Sequence, residues 1–152
     1  MLTGSGGYLW GLILLIMINV NELRKGNLVK SLTLEIYCPV QTIEVSSIAL
    51  KCDTGRVRCD YVDHKFTSID PIPLTPEWLE RCGLKDPAGN GLGYRMNINS
   101  VDEICWYMQD GFMRYQTQGS GFTRQLQHIK HLHELQNWYY WFTGEELQIK
   151  MP

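Results

Sequence analysis

Residues 131–147, HLHELQNWYYWFTGEEL, form the longest stretch with helical periodicity, and they constrain the fold more than any other feature. Leu132, Leu135, Tyr139 and Phe142 recur at i, i+3, i+7 and i+10, which places them on one stripe of a helix. Trp138 and Trp141 widen that apolar face, and Gly144 stands where a left-handed residue ends a helix. A helix over Leu132–Phe142 therefore has a face to bury, and the remainder of the chain offers a β surface to bury it on.

That remainder is cut by glycine and proline into short pieces, the pattern of a sheet-rich domain. Leu28–Tyr37 reads as an extended stretch ended by Pro39. Thr42–Lys51 and Arg56–Val62 read as a hairpin about Asp53-Thr54-Gly55, the second strand alternating polar and apolar side chains. Thr75-Pro76-Glu77 has N-cap, first-turn proline and first-turn acid in order, which predicts a helix of about two turns ending at Gly83. Tyr94–Ile98 reads as a strand. Asp110-Gly111 between EICWYMQ and FMRYQ signals a second hairpin with a type I′ turn, and Gly119-Ser120-Gly121 a further turn. The expected class is α+β: a mostly antiparallel sheet or meander, its N-terminal half curled in an SH3-like manner, with a short central helix and one amphipathic C-terminal helix.

The 152 residues suit one domain, and 44% hydrophobic residues supply a core without a metal or disulfide staple. A formal net charge of -2 argues against a general polyanion binder. Cys38, Cys52, Cys59, Cys82 and Cys105 are odd in number and form no CxxC, so free thiols in a reducing, cytoplasmic setting are the expectation. The apolar run Tyr8–Val20 is shorter than a membrane span and lacks a basic n-region. Three readings of it stay open: an over-extended start upstream of Met17, a weak signal or anchor, and a helix packed on the domain. Residues 1–16 are accordingly set apart from a single domain over 17–152, and membrane association depends on residues 8–20 acting as an anchor.

Four residues of the last helix, His133, Gln136, Asn137 and Tyr140, share a polar stripe next to the apolar one. A histidine beside two amides is able to hold a ligand or a water; it also suits side chains that satisfy backbone groups at a sheet edge. His128, His131 and His133 lie close together but have no acidic third ligand on the same face, so no metal and no cofactor is expected. The chain carries no G-x-S-x-G, P-loop, HExxH or GxGxxG. A hydrolase using His133 with Asn137 and a cysteine is formally available. Arg24, Lys25, Arg56 and Arg58, with aromatics on the second hairpin, form a candidate nucleic-acid surface. Trp138, Tyr139, Tyr140, Trp141 and Phe142 exceed what one narrow stripe buries, which points to a protein partner or a homo-oligomer.

Three blocks occur in order: N-E-L-R-x-G-N-x-V at Asn21–Val29, P-I-P-L-T-x-E-W-L at Pro71–Leu79, and H-x-L-Q-N-x-Y-x-x-x-T-G-E-E-L at His133–Leu147. In them the chain resembles a family of small uncharacterised proteins common in Bacteroidetes genomes, prophages and phages. The resemblance runs from Met17 to Ile149 and departs at residues 1–16, Trp138 and Trp141. It implies a phage- or mobile-element-associated cytoplasmic protein, supports Met17 as the start, and brings no catalytic residues with it. Together with the surplus aromatics, it makes a non-enzymatic interaction module the expected function, with the nucleic-acid module and the His133 hydrolase as alternatives.

Overall fold

A computed structural model describes residues 18–44, 46–52, 55–62, 65–66, 68–117, 119–120 and 123–152; the side chains of 60–62, 65, 66 and 127 lie outside the description. The turn residues Asp53, Thr54 and Gly121, and the N-terminal run up to Met17, also lie outside the described residues.

The short pieces form two antiparallel sheets. The first is six-stranded, built from β1 (Leu28–Ser31), β2 (Ile36–Ile43), β3 (Ser47–Cys52), β4 (Gly55–Val62), β5 (Lys65–Phe66) and β6 (Ile69–Asp70), in the order β5-β4-β3-β2-β1-β6. It curls as a half-barrel, and the register shift between Val40 and Thr42 is the kind of irregularity that sharpens strand twist. The second sheet is four-stranded, with β7 (Gly93–Asn97), β8 (Asp102–Tyr107), β9 (Phe112–Thr117) and β10 (Thr123–His128) in the order β10-β9-β8-β7. Helix α1 (Pro76–Arg81) links the sheets, and helix α2 (Leu132–Thr143) follows β10. The class is α+β with antiparallel sheets, as the turn spacing predicts.

Four expectations about local structure need correcting. Leu28–Tyr37 is not one stretch. It turns at Leu32–Glu35, where Glu35 takes a left-handed φ of 55° and Ser31 Oγ accepts from Leu34 N–H at 3.3 Å. Pro39 does not end its strand: it pairs with Leu28 in register, and the next residue, Val40, donates its N–H to Asn27 O at 2.8 Å. The chain thus passes through a residue with no donor and resumes the ladder one position later. Ile43 then closes β2, and β3 begins at Ser47, so the expected strand Thr42–Lys51 spans a turn. The Asp110-Gly111 hairpin forms, but only Gly111 is left-handed, at φ 66°, and its N–H bonds Tyr107 O. A type I′ turn requires positive φ at both central residues, so this loop is longer than the two-residue form.

Cys38 and Cys52 face each other across β2 and β3 and form a disulfide, which corrects the all-thiol expectation for that pair. Cys59, Cys82 and Cys105 are free and buried. No helix among the described residues is long and apolar enough to cross a membrane.

The hydrophobic core has two compartments, and β1 is the wall between them. Successive residues of a strand point to opposite faces. Leu28 therefore joins Leu79, Ile104, Met113, Ile129, Leu132 and Leu135 in one compartment, while Val29 joins Ile18, Val40, Ile48, Leu50 and Ile69 in the other. Thr75 caps α1 by accepting from Trp78 N–H, and Trp78 and Leu79 fill the first compartment. Leu74 and Leu132 donate to Lys130 O and Ile72 O, a short bridge that brings the start of α2 beside the proline-rich entry to α1.

Candidate functional site

The sequence of α2 sorts onto two buried flanks. Leu132 and Leu135 press into the first compartment, while His133 and Gln136, although polar, are almost as deeply covered. The reason is that α2 does not lie on one sheet alone. One side meets the four-stranded sheet; the other meets the segment from Glu22 to Leu28 that feeds β1.

The polar stripe is the fastening between them. Gln136 Oε1 accepts from Leu28 N–H at 2.7 Å, and its Nε2 donates to Gly26 O at 3.1 Å. Asn137 Oδ1 accepts from Asn27 Nδ2 at 2.9 Å, and its Nδ2 donates to Glu22 O at 2.6 Å. Asn27 Oδ1 in turn accepts from Arg24 N–H at 2.8 Å. Arg24 pairs with both carboxylate oxygens of Glu146 and donates to Gln136 O at 3.3 Å, its guanidinium lying 4.3 Å from the centre of the Tyr140 ring. The Gln136 and Asn137 amides are therefore used up inside the molecule, which is the role buried amides usually take. Replacing Gln136 with leucine leaves Leu28 N–H and Gly26 O without their partner; the expected cost is about 1–3 kcal/mol, read as a lower urea midpoint at an unchanged slope. An unaltered midpoint would show that these two bonds hold nothing.

His133 stands apart. Its imidazole is 1% exposed, and neither ring nitrogen has a hydrogen-bond partner. Glu22 Oε2 lies 3.7 Å from Nε2, and the His131 ring stacks at 5.7 Å between centroids. Burial, opposed by the Glu134 charge and assisted by His131, pushes the imidazole down to about 4, so it is neutral at pH 7. Burial pushes the Glu134 carboxyl up, but the His131 side chain and the Lys130 and His131 backbone N–H groups outweigh it and hold it at about 2.

The residues of the hydrolase alternative are not brought together. No cysteine sulfur among the described residues lies within hydrogen-bond reach of His133, and Asn137 is held by Asn27 and Glu22. Burial pushes the Cys82 thiol up to about 12 and the Cys105 thiol up to about 11, the opposite of an activated nucleophile. The candidate nucleic-acid residues each have contacts of their own. Arg24 turns onto α2, whereas Arg56 bonds Gln41 at 2.8 Å and Arg58 reaches Glu44 at 3.9 Å on the six-stranded sheet; Lys25 is exposed. Among the described residues no group of three His, Cys, Asp or Glu side chains is placed to hold a metal.

The outward flank of α2 is where the helical wheel misassigns residues. Trp138 is buried and stacks on Phe142 with centroids 5.2 Å apart, but Phe142 is 38% exposed, Tyr140 44% and Trp141 81%. Trp141 and Trp138 line one bank of a groove of about 600 Å³, Arg124, Gln125 and Leu126 of β10 line the other, and Glu22 also borders it. The sequence signals the aromatic surplus but not the groove, because nothing local relates Arg124 to Trp141. Likewise Asn27 and Glu146 stand in the first and third sequence blocks, but nothing in those blocks pairs them with Asn137 and Arg24.

Comparison with known proteins adds no relative: no family model matches the chain, and no curated protein or solved structure is significantly similar to it.

Proposed function

We propose that the chain is a non-enzymatic protein-interaction module whose docking face is the outward flank of α2. The observation that carries this reading is Trp141, a tryptophan left 81% exposed beside exposed Tyr140 and Phe142 on a helix whose other sides are fully engaged. Large exposed aromatics clustered on one surface mark interaction sites, and tryptophan and tyrosine dominate binding energy where they are later buried. The polar stripe supports the same reading from the other side, since its amides are satisfied internally and leave no constellation for chemistry. A phage- or mobile-element association is part of the proposal and rests on the three sequence blocks. Cytoplasmic residence rests on the same blocks, and the Cys38–Cys52 disulfide weighs against it, because such bonds persist in oxidising compartments.

Size-exclusion chromatography with light scattering, paired with affinity capture from a lysate of the source cells, tests the proposal. The expected outcome is self-association or a specific captured partner, weakened by Trp141→Ala without a change in melting temperature. A clean monomer that captures nothing contradicts it.

A further inference from the structure

β10 is the outermost strand of its sheet. It is bonded to β9 on one side, and among the described residues no backbone group of Thr123–His128 bonds anything on the other. An open edge of this kind is a template for an added strand. What borders this edge is specific. Arg124 lies opposite Tyr115 in register, and the Tyr115 ring meets Phe142 at 5.5 Å, so the C-terminal end of α2 lies beside Arg124. Glu134, one turn from the other end of the helix, lines the same groove as Leu126. The helix thus runs along β10 in the opposite direction, and the groove is a cleft between a strand edge and a helix.

From this geometry we infer that the module recognises an extended peptide segment of a partner protein, which pairs as a fifth strand with the free edge of β10. The inference rests on the interaction-module reading and specifies its site and ligand. Side chains of an added strand alternate, so those on the α2 side enter the cleft. Trp138 and Trp141 line it there with apolar surface, which suits an aliphatic or aromatic side chain. Arg124, an exposed cation with no ion pair among the described residues, suits an acidic side chain at its end of the cleft, and Glu22 and Glu134, which line the same groove, suit a basic side chain at the Glu134 end. A second copy of the chain fits less well: its β10 arrives attached to β9 and to its own α2, and the helix bordering the cleft occupies that space.

The test uses the full-length chain and a displayed library of random ten-residue peptides. Selected peptides are expected to carry, at even spacings, an acidic residue, an aliphatic or aromatic residue and a basic residue. Their binding is expected to protect from exchange those β10 amides that do not bond β9. Trp141→Ala and Arg124→Glu, both at exposed positions, are each expected to weaken binding by about tenfold while leaving the melting temperature unchanged. Peptides that bind with neither variant affected, or that protect a different surface, overturn the strand-addition inference while leaving the interaction-module reading intact. Protection of the β10 edge in the free protein also overturns it; light scattering then shows whether a second copy or the chain's own Tyr8–Met17 run is the occupant. No selected peptide, together with a monomer that captures no partner, overturns both.

Discussion

Leu135→Ala is expected to destabilise the fold by about 2–5 kcal/mol, the range for emptying a leucine-sized space in a packed core. Leu135 is completely buried and shares its compartment with Leu28 of the first sheet and Ile104 and Met113 of the second. The void therefore opens where α2, β1 and the four-stranded sheet meet, and neither sheet closes it without disturbing the other. For a domain of this size the melting temperature should fall by on the order of 10 °C. Trp141→Ala, ten angstroms of helix or less from the same position at about 1.5 Å per residue, removes a larger side chain yet should stay within about 0.5 kcal/mol of the parent. Thermal unfolding followed by circular dichroism compares the two. Equal shifts would mean that the inward and outward flanks of α2 are wrongly assigned.

The second large effect is acid sensitivity through His133. Its folded value of about 4 lies below the ordinary 6.5 because the buried imidazole resists charging. As pH falls, the unfolded chain takes up this proton first, so stability rises with pH across the window and is lost on acidification. The contribution is fully present above pH 6.5 and disappears between 6.5 and about 4, amounting to about 3 kcal/mol in all. Glu134 continues the trend lower down: its folded value of about 2 is below the ordinary 4.5, so its stabilisation is lost as pH drops from 4.5 towards 2. Urea midpoints at pH 7.0, 5.5 and 4.5 for the parent and His133→Leu isolate the first window. The variant should lose most of the slope between pH 6.5 and 4.5, while the parent keeps it. Parallel slopes, or an NMR titration of His133 near 6.5, would show that this imidazole is not held neutral by burial.

The elements that were readable in advance are those whose signals are local. The periodicity predicts α2 over Leu132–Phe142 and the helix spans Leu132–Thr143, because apolar spacing and Gly144 both act within the helix. Thr75-Pro76-Glu77 likewise starts α1 where its capping chemistry places it. The turn at Leu32–Glu35 was hidden because it uses no glycine: a glutamate carries the left-handed backbone, and a serine hydroxyl and the pairing of β1 with β2 stabilise it. Pro39 misleads for the converse reason, since the ladder around it depends on partners in β1. The polar stripe is legible from helical spacing, and of its two readings the structure supports the internal one for Gln136 and Asn137, whose partners lie more than a hundred residues earlier in the chain. The Cys38–Cys52 pairing depends on the register of β2 against β3, which the turn between them sets, and the cleft between β10 and α2 is a product of long-range assembly.

Residue-resolved hydrogen exchange on the native protein addresses the central assembly most directly, because α2 is tied to the first sheet by the Gln136–Leu28 and Asn137–Asn27 bonds and packs Leu135 with Ile104 and Met113 of the second. The buried amides of α2, β1 and β8, including Leu28 N–H, should exchange with one common free energy equal to that of global unfolding. If α2 exchanges at a distinctly lower free energy than the two sheets, or the sheets open independently of each other, the helix does not join them.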